Sequence, residues 1–123
     1  MHHILVIDDD ALFRDSLATT LRRDGYAVTA RANAHGLEAL LAAEPFHAII
    51  TDLYMPECDG IEVTLRARRV SFGARVIGIS GAGLGIDRAC FRAMKALGAV
   101  GVLEKPLDRA ALLALLDGPA APA

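Results

Sequence analysis

Four short runs of nearly unbroken apolar residues punctuate the chain, at 4–7, 48–51, 76–79 and 100–103. Such runs, without polar alternation, fit strands covered on both faces, as in a parallel sheet. Residues 27–30 form a weaker run, as an edge strand would. Between the runs, apolar residues recur at helical spacing. Phe13, Leu17 and Leu21 mark a first helix, with Asp10 as its N-cap and Asp24-Gly25 as its end. Leu37, Leu40 and Leu41 mark a second, stopped before Pro45, and Ile61 and Leu65 a third. Cys90, Met94 and Leu97 mark a fourth, closed by Gly98, and Asp108 caps a fifth carrying Leu112, Leu113, Leu115 and Leu116. Strand and helix alternate five times. That order predicts an α/β fold, a doubly wound parallel sheet with right-handed crossovers and helices on both faces.

Three of the apolar runs end in charge. The first meets Asp8-Asp9-Asp10, the second Asp52, and the last Glu104-Lys105-Pro106. In a parallel sheet these ends share one edge, outside the carboxyl ends of the strands, where ligands of such folds bind. Carboxylates crowded there repel one another, by roughly 4 kcal/mol for a pair about 4 Å apart at an effective dielectric of 20. A hard dication relieves that repulsion, and Mg²⁺ suits a site of one or two carboxylates completed by waters and phosphate oxygens. Lys105 adds a positive charge, and Ser80, ending the fourth run, adds a hydroxyl. A carboxylate nucleophile, a metal, an ammonium and a hydroxyl are the parts phosphoryl transfer needs.

With 123 residues, 54% hydrophobic and 23% charged, the chain has the size and balance of one water-soluble domain. No apolar run approaches the ~20 residues that span a bilayer. Met1-His2-His3 lacks the start of a signal peptide, so the expected compartment is the cytoplasm. A net charge of −2 argues against direct nucleic-acid binding. Cys58 and Cys90 make neither a disulfide framework nor a metal cluster. Arg66, Arg68 and Arg69 read as a solvated helix face, with docking of an acidic partner as the lesser alternative.

The set of Asp8-Asp9, Asp52 followed by Met55-Pro56 and Asp59-Gly60, Ser80 after an apolar run, and Lys105-Pro106 resembles the response-regulator receiver domains of bacterial two-component signalling. The resemblance covers residues 4 to about 116, and the parts are specific together though weak singly. It implies a flavodoxin-like five-stranded sheet in the order 2-1-3-4-5 with five helices, a receiver domain over 1–117 and a short disordered tail over 118–123. It implies Asp52 as phosphoacceptor, taking its phosphoryl group from a sensor histidine kinase or a histidine phosphotransfer protein. Mg²⁺ would be held by Asp8, Asp9, Asp52 and the main-chain carbonyl of Tyr54. Ser80 would bond a phosphoryl oxygen, and Lys105 would pair with Asp52 and then with the phosphoryl group, its bond to Pro106 being cis.

The chain leaves the family pattern at Val102, where many receivers carry the aromatic ring that moves on activation. The output expected in its place is helix four and its glycine-rich approach at 81–85, acting on an unknown downstream protein, with a homodimer left open. The leading expectation is a stand-alone receiver, not an enzyme on other substrates. The alternatives are the receiver portion of a longer transcriptional regulator and an unphosphorylated receiver-like interaction module. A haloacid-type phosphatase would need Thr where Leu12 stands, and a serine hydrolase would need a Gly where Ala82 stands and a His after Ser80. His35 and His47 read as surface or helix-end residues, and Cys58 as incidental.

Overall fold

The computed structural model describes residues 1–55, 59–70, 73–81 and 87–118. Five strands, β1 (His3–Ile7), β2 (Ala27–Arg31), β3 (Ala48–Asp52), β4 (Arg75–Ser80) and β5 (Gly101–Glu104), alternate with five helices, α1 (Ala11–Arg23), α2 (Leu37–Ala43), α3 (Gly60–Val70), α4 (Arg88–Ala96) and α5 (Arg109–Asp117). The strands are all parallel and lie in the order β2-β1-β3-β4-β5, as expected. Each boundary falls within a residue or two of the apolar runs. Among the described residues no helix is long and apolar enough to cross a membrane.

The unbroken apolar runs have the cause the pattern suggested. Leu5, Ile7, Ile49 and Val76 face a core completed by Leu37 and Leu41 of α2, Val63 and Ala67 of α3, and Met94 of α4. Their strand neighbours Ile4, Val6, Ile50, Ile77 and Ile79 face the opposite core with Leu17 and Leu21 of α1 and Leu112 and Leu116 of α5. Period-two alternation thus fills both faces. The capping residues act as read: Asp10 accepts from the Phe13 N–H, Asp108 from that of Ala110, and Gly25 and Gly98 take left-handed φ of 97° and 88° past α1 and α4.

Helix α3 departs from expectation. Leu65 is 41% exposed, and the helix buries Val63, Thr64 and Ala67 instead. Its arginines are not one solvated face either. Arg66 grips both Glu38 carboxylate oxygens, at 2.9 and 2.6 Å, and the Ala34 carbonyl at 3.0 Å. That pairing holds the Glu38 carboxyl at a pKa of about 2. Arg68 donates to the carbonyls of Leu97, Ala74 and Gly98 at 3.1, 2.8 and 3.0 Å. Only Arg69 of the three is exposed. The guanidinium forks tie α3 to α2 and to the end of α4. His47, read as a helix-end residue, meets the Leu116 carbonyl in the last turn of α5 through Nε2 at 2.7 Å.

Candidate functional site

Strand register assembles the charged ends. Ile7 pairs with Thr51 across β1 and β3, so the chain leaves these neighbouring strands as Asp8 and Asp52 side by side. Asp52 pairs with Ile79 on β4, and Ser80 with Glu104 on β5, which brings Ser80 and Lys105 to the same rim. The Lys105 N–H donates to the Ser80 carbonyl at 2.8 Å. The Lys105-Pro106 bond is cis, as expected.

Leu53, immediately after Asp52, anchors that end of β3. It is buried, its N–H donates to the Ile79 carbonyl at 2.9 Å, and its carbonyl accepts from Gly60 at 3.0 Å. Its side chain fills a slot kept open by glycine: a Cβ on Gly78 would lie 2.7 Å from Leu53 Cδ2, and one on Gly60 2.8 Å from it. Both positions need glycine for this close approach.

Asp8 and Asp52 are buried and Asp9 is exposed. One ligand atom from each lies within 4.8 Å of the other two. The Asp8 Oδ1 accepts from the Asp10 N–H at 2.9 Å, its carbonyl accepts from Arg14 Nη1 at 2.9 Å, and its N–H donates to the Arg31 carbonyl at 3.1 Å. The Asp8 Oδ2 is buried and lacks a hydrogen bond of good geometry, although Lys105 Nζ stands 2.9 Å away as an ion pair. The lysine therefore pairs with Asp8 where the resemblance implied Asp52. Its Nζ also lies 4.1 Å from the centroid of the Phe13 ring. Asp52 keeps a 3.2 Å hydrogen bond from the Tyr54 N–H. Burial pushes the Asp52 carboxyl above its usual pKa, the Tyr54 bond opposes this, Asp8 adds to it, Lys105 opposes it and Asp9 adds to it.

Three carboxylates beside one ammonium leave an excess of negative charge, and the buried Asp8 Oδ2 is met by the Lys105 ion pair without a hydrogen bond of good geometry. Both features fit a hard dication with oxygen ligands. Asp8, Asp9 and Asp52 could hold it, with the Tyr54 carbonyl on the segment leaving β3. Ser80 is fully buried at the end of β4. Asp10 is spent on capping α1, and Val102, on β5, packs partly buried against the core of α2, α3 and α4. Residues 56–58, 71–72, 82–86 and 119–123, including Cys58, most of the glycine-rich approach to α4 and most of the expected tail, lie outside the described residues. Sequence reasoning used Phe13 only as a mark of the first helix and gave Arg14 no part. The signal for both was their place in the first turn of α1, directly above the acidic run.

Known proteins resemble this chain in sequence and in fold. The family model for the response regulator receiver domain matches residues 4–117. The transcriptional regulatory protein FixJ of Bradyrhizobium diazoefficiens is 36% identical over 118 residues, covering 94% of this chain and 55% of FixJ. The response regulator receiver protein CpdR of Brucella abortus is 37% identical over 81 residues, 66% of this chain and 68% of CpdR. The chain thus spans about half the length of FixJ. A crystal structure of a Burkholderia pseudomallei response regulator with a phosphorylated aspartic acid, calcium ion and citrate superposes with a TM-score of 0.84 at 29% identity, covering 95% of this chain and 67% of that one.

Proposed function

This chain belongs to the response regulator receiver domain family, and from that premise we propose that Asp52 accepts a phosphoryl group from the phosphohistidine of a sensor histidine kinase or a histidine phosphotransfer protein. The observation that supports this reading is the buried Asp52 carboxylate, gathered with Asp8 and Asp9 and faced by Lys105 at one sheet edge. In the transfer, an Asp52 carboxylate oxygen attacks phosphorus and the P–N bond to the donor imidazole breaks. The bonding pair stays on that nitrogen, which takes up a proton, and an acyl phosphate remains on Asp52. Asp8, Asp9, Asp52 and the Tyr54 carbonyl would hold Mg²⁺, which supplies positive charge to the phosphoryl oxygens when bound. Lys105 balances charge on the same oxygens, and the Ser80 hydroxyl donates to one of them. Asp52 is consumed and regenerated in its own phosphorylation cycle, so the domain works as a signalling phosphoacceptor and not as an enzyme on a separate substrate.

The proposed setting is the cytoplasm, where kinase and receiver meet. The phosphorylated receiver would act on a downstream protein. FixJ carries its matching region within a longer chain, and in that arrangement the same chemistry would drive an attached effector. The test of the chemistry is labelling by a small-molecule phosphodonor in Mg²⁺. Wild type should take up close to one phosphoryl group per chain, and Asp52→Asn none. Stoichiometric labelling of Asp52→Asn would move the acceptor elsewhere.

A further inference from the structure

The Lys105 ammonium lies 2.9 Å from the Asp8 Oδ2 and 4.1 Å from the centroid of the Phe13 ring. Its side chain is only 14% exposed, so water supplies little of the solvation an ammonium requires. The carboxylate and the ring supply it instead. The Asp8 Oδ1 is already engaged by the Asp10 N–H, which leaves Oδ2 as the oxygen open to a further ligand. An ammonium and a dication cannot both sit on that oxygen without close like-charge repulsion.

We propose that Phe13 is a positioning residue that rests the Lys105 ammonium on Asp8, so that lysine and divalent cation compete for one carboxylate oxygen and the arriving cation releases the lysine towards the place of the incoming phosphoryl group. The inference rests on the metal reading of the acidic cluster given above. The move is short. The lysine backbone is pinned to Ser80 at 2.8 Å, while ligand atoms of Asp8 and Asp52 lie within 4.8 Å of each other. Rotation about the four-carbon stem is enough to carry the charge across. The cation would then do more than hold the phosphoryl group. It would set the lysine in place before phosphorus arrives.

The test is NMR of the isotopically labelled chain, following the ε-methylene protons of Lys105. In EDTA the Phe13 ring current should displace them upfield. Mg²⁺ should remove that displacement in step with shifts at the Asp8, Asp9 and Asp52 amides. Phe13→Leu keeps the apolar bulk without a ring face. It should abolish the upfield displacement and tighten Mg²⁺ binding by at least about two-fold and up to about 30-fold, the range from an exposed to a desolvated cation–π contact. Phe13→Tyr should restore both properties. Lys105→Met should also tighten binding, and adding Phe13→Leu to it should change the affinity no further. The proposal is overturned if the Lys105 signals stay fixed while the acidic amides titrate. It also falls if Phe13→Leu changes Mg²⁺ affinity equally with and without Lys105. Acidic amides that do not respond to Mg²⁺ at all would remove the metal reading, and this inference with it, while phosphodonor labelling still judges Asp52 separately.

Discussion

At the scale of single residues, Asp52 is the place where charge is least comfortable. Burial raises its pKa, the Tyr54 N–H bond lowers it, and of its charged neighbours Asp8 and Asp9 raise it while Lys105 lowers it. The net shift is upward from the ordinary 3.8. Above that value and below the raised one, the native protein retains a proton that the unfolded chain has released. Stability from this group is therefore present at low pH and declines as pH rises through the folded pKa. Asn in its place still accepts the Tyr54 N–H and carries no charge. In EDTA, Asp52→Asn should be the more stable protein at pH 7, and its advantage should shrink as pH falls towards 3.8. Urea denaturation across that range measures the difference. A less stable Asn variant at pH 7 would mean that attraction from Lys105 outweighs burial and acidic repulsion together. The identities of Asp8, Asp9, Asp52, Ser80 and Lys105 as neighbours were legible in the sequence, because register alone carries strand ends to one edge. Which carboxylate the lysine would reach was not. That choice turns on side-chain rotamers and on the contact with the Phe13 ring, and the position of Phe13 in the first turn of α1 does not by itself fix either.

At the scale of elements, α3 shows what periodicity can and cannot reveal. Ile61 and Leu65 were enough to announce a helix, yet Leu65 points towards solvent and the buried face is made of Val63, Thr64 and Ala67. Small and β-branched residues let α3 lie close to the sheet, and a pattern read from large apolar residues passes over them. The arginines misled for a related reason. Three charges in four positions look like a wet surface, whereas Arg68 spends its guanidinium on the backbone carbonyls of Leu97, Ala74 and Gly98. Two of these, Leu97 and Gly98, belong to the end of α4, so the residue locks α3 to α4 and to the loop before β4. Hydrogen bonds from a charged donor contribute about 1.5–3 kcal/mol. Arg68→Met keeps the apolar stem and removes the donors. It should lower unfolding free energy by about 2 kcal/mol in chemical denaturation, with Asp52 still accepting phosphate. A loss below about 0.5 kcal/mol, the scale of ordinary surface substitutions, would show that water replaces the guanidinium without penalty.

At the scale of the whole molecule, the sheet collects carboxylates at one edge, where the proposed divalent ion would relieve their repulsion. The alternation of buried runs and amphipathic helices made the architecture legible, and the strand order came only through the family resemblance. Folding brings Asp52 to the adjacent pair Asp8-Asp9 from far along the chain, so a cation that uses all three holds little of that set in the unfolded state. Binding then adds directly to folding stability. With Mg²⁺ at 100 times its dissociation constant, wild type should gain about 2.7 kcal/mol. For a domain of this size that corresponds to a rise in melting temperature of roughly 10 °C. In Asp52→Asn one carboxylate ligand is lost, so at the same Mg²⁺ concentration the gain should be smaller, although its melt in EDTA starts from a higher temperature. The two proteins therefore approach one another as Mg²⁺ is added, and wild type is the one that moves. Thermal melts of both in EDTA and across a Mg²⁺ series supply the comparison. Equal shifts in the two would mean that Asp52 is not a ligand, and that the ion, if it binds, is held by Asp8 and Asp9 without the residue proposed to carry the phosphoryl group.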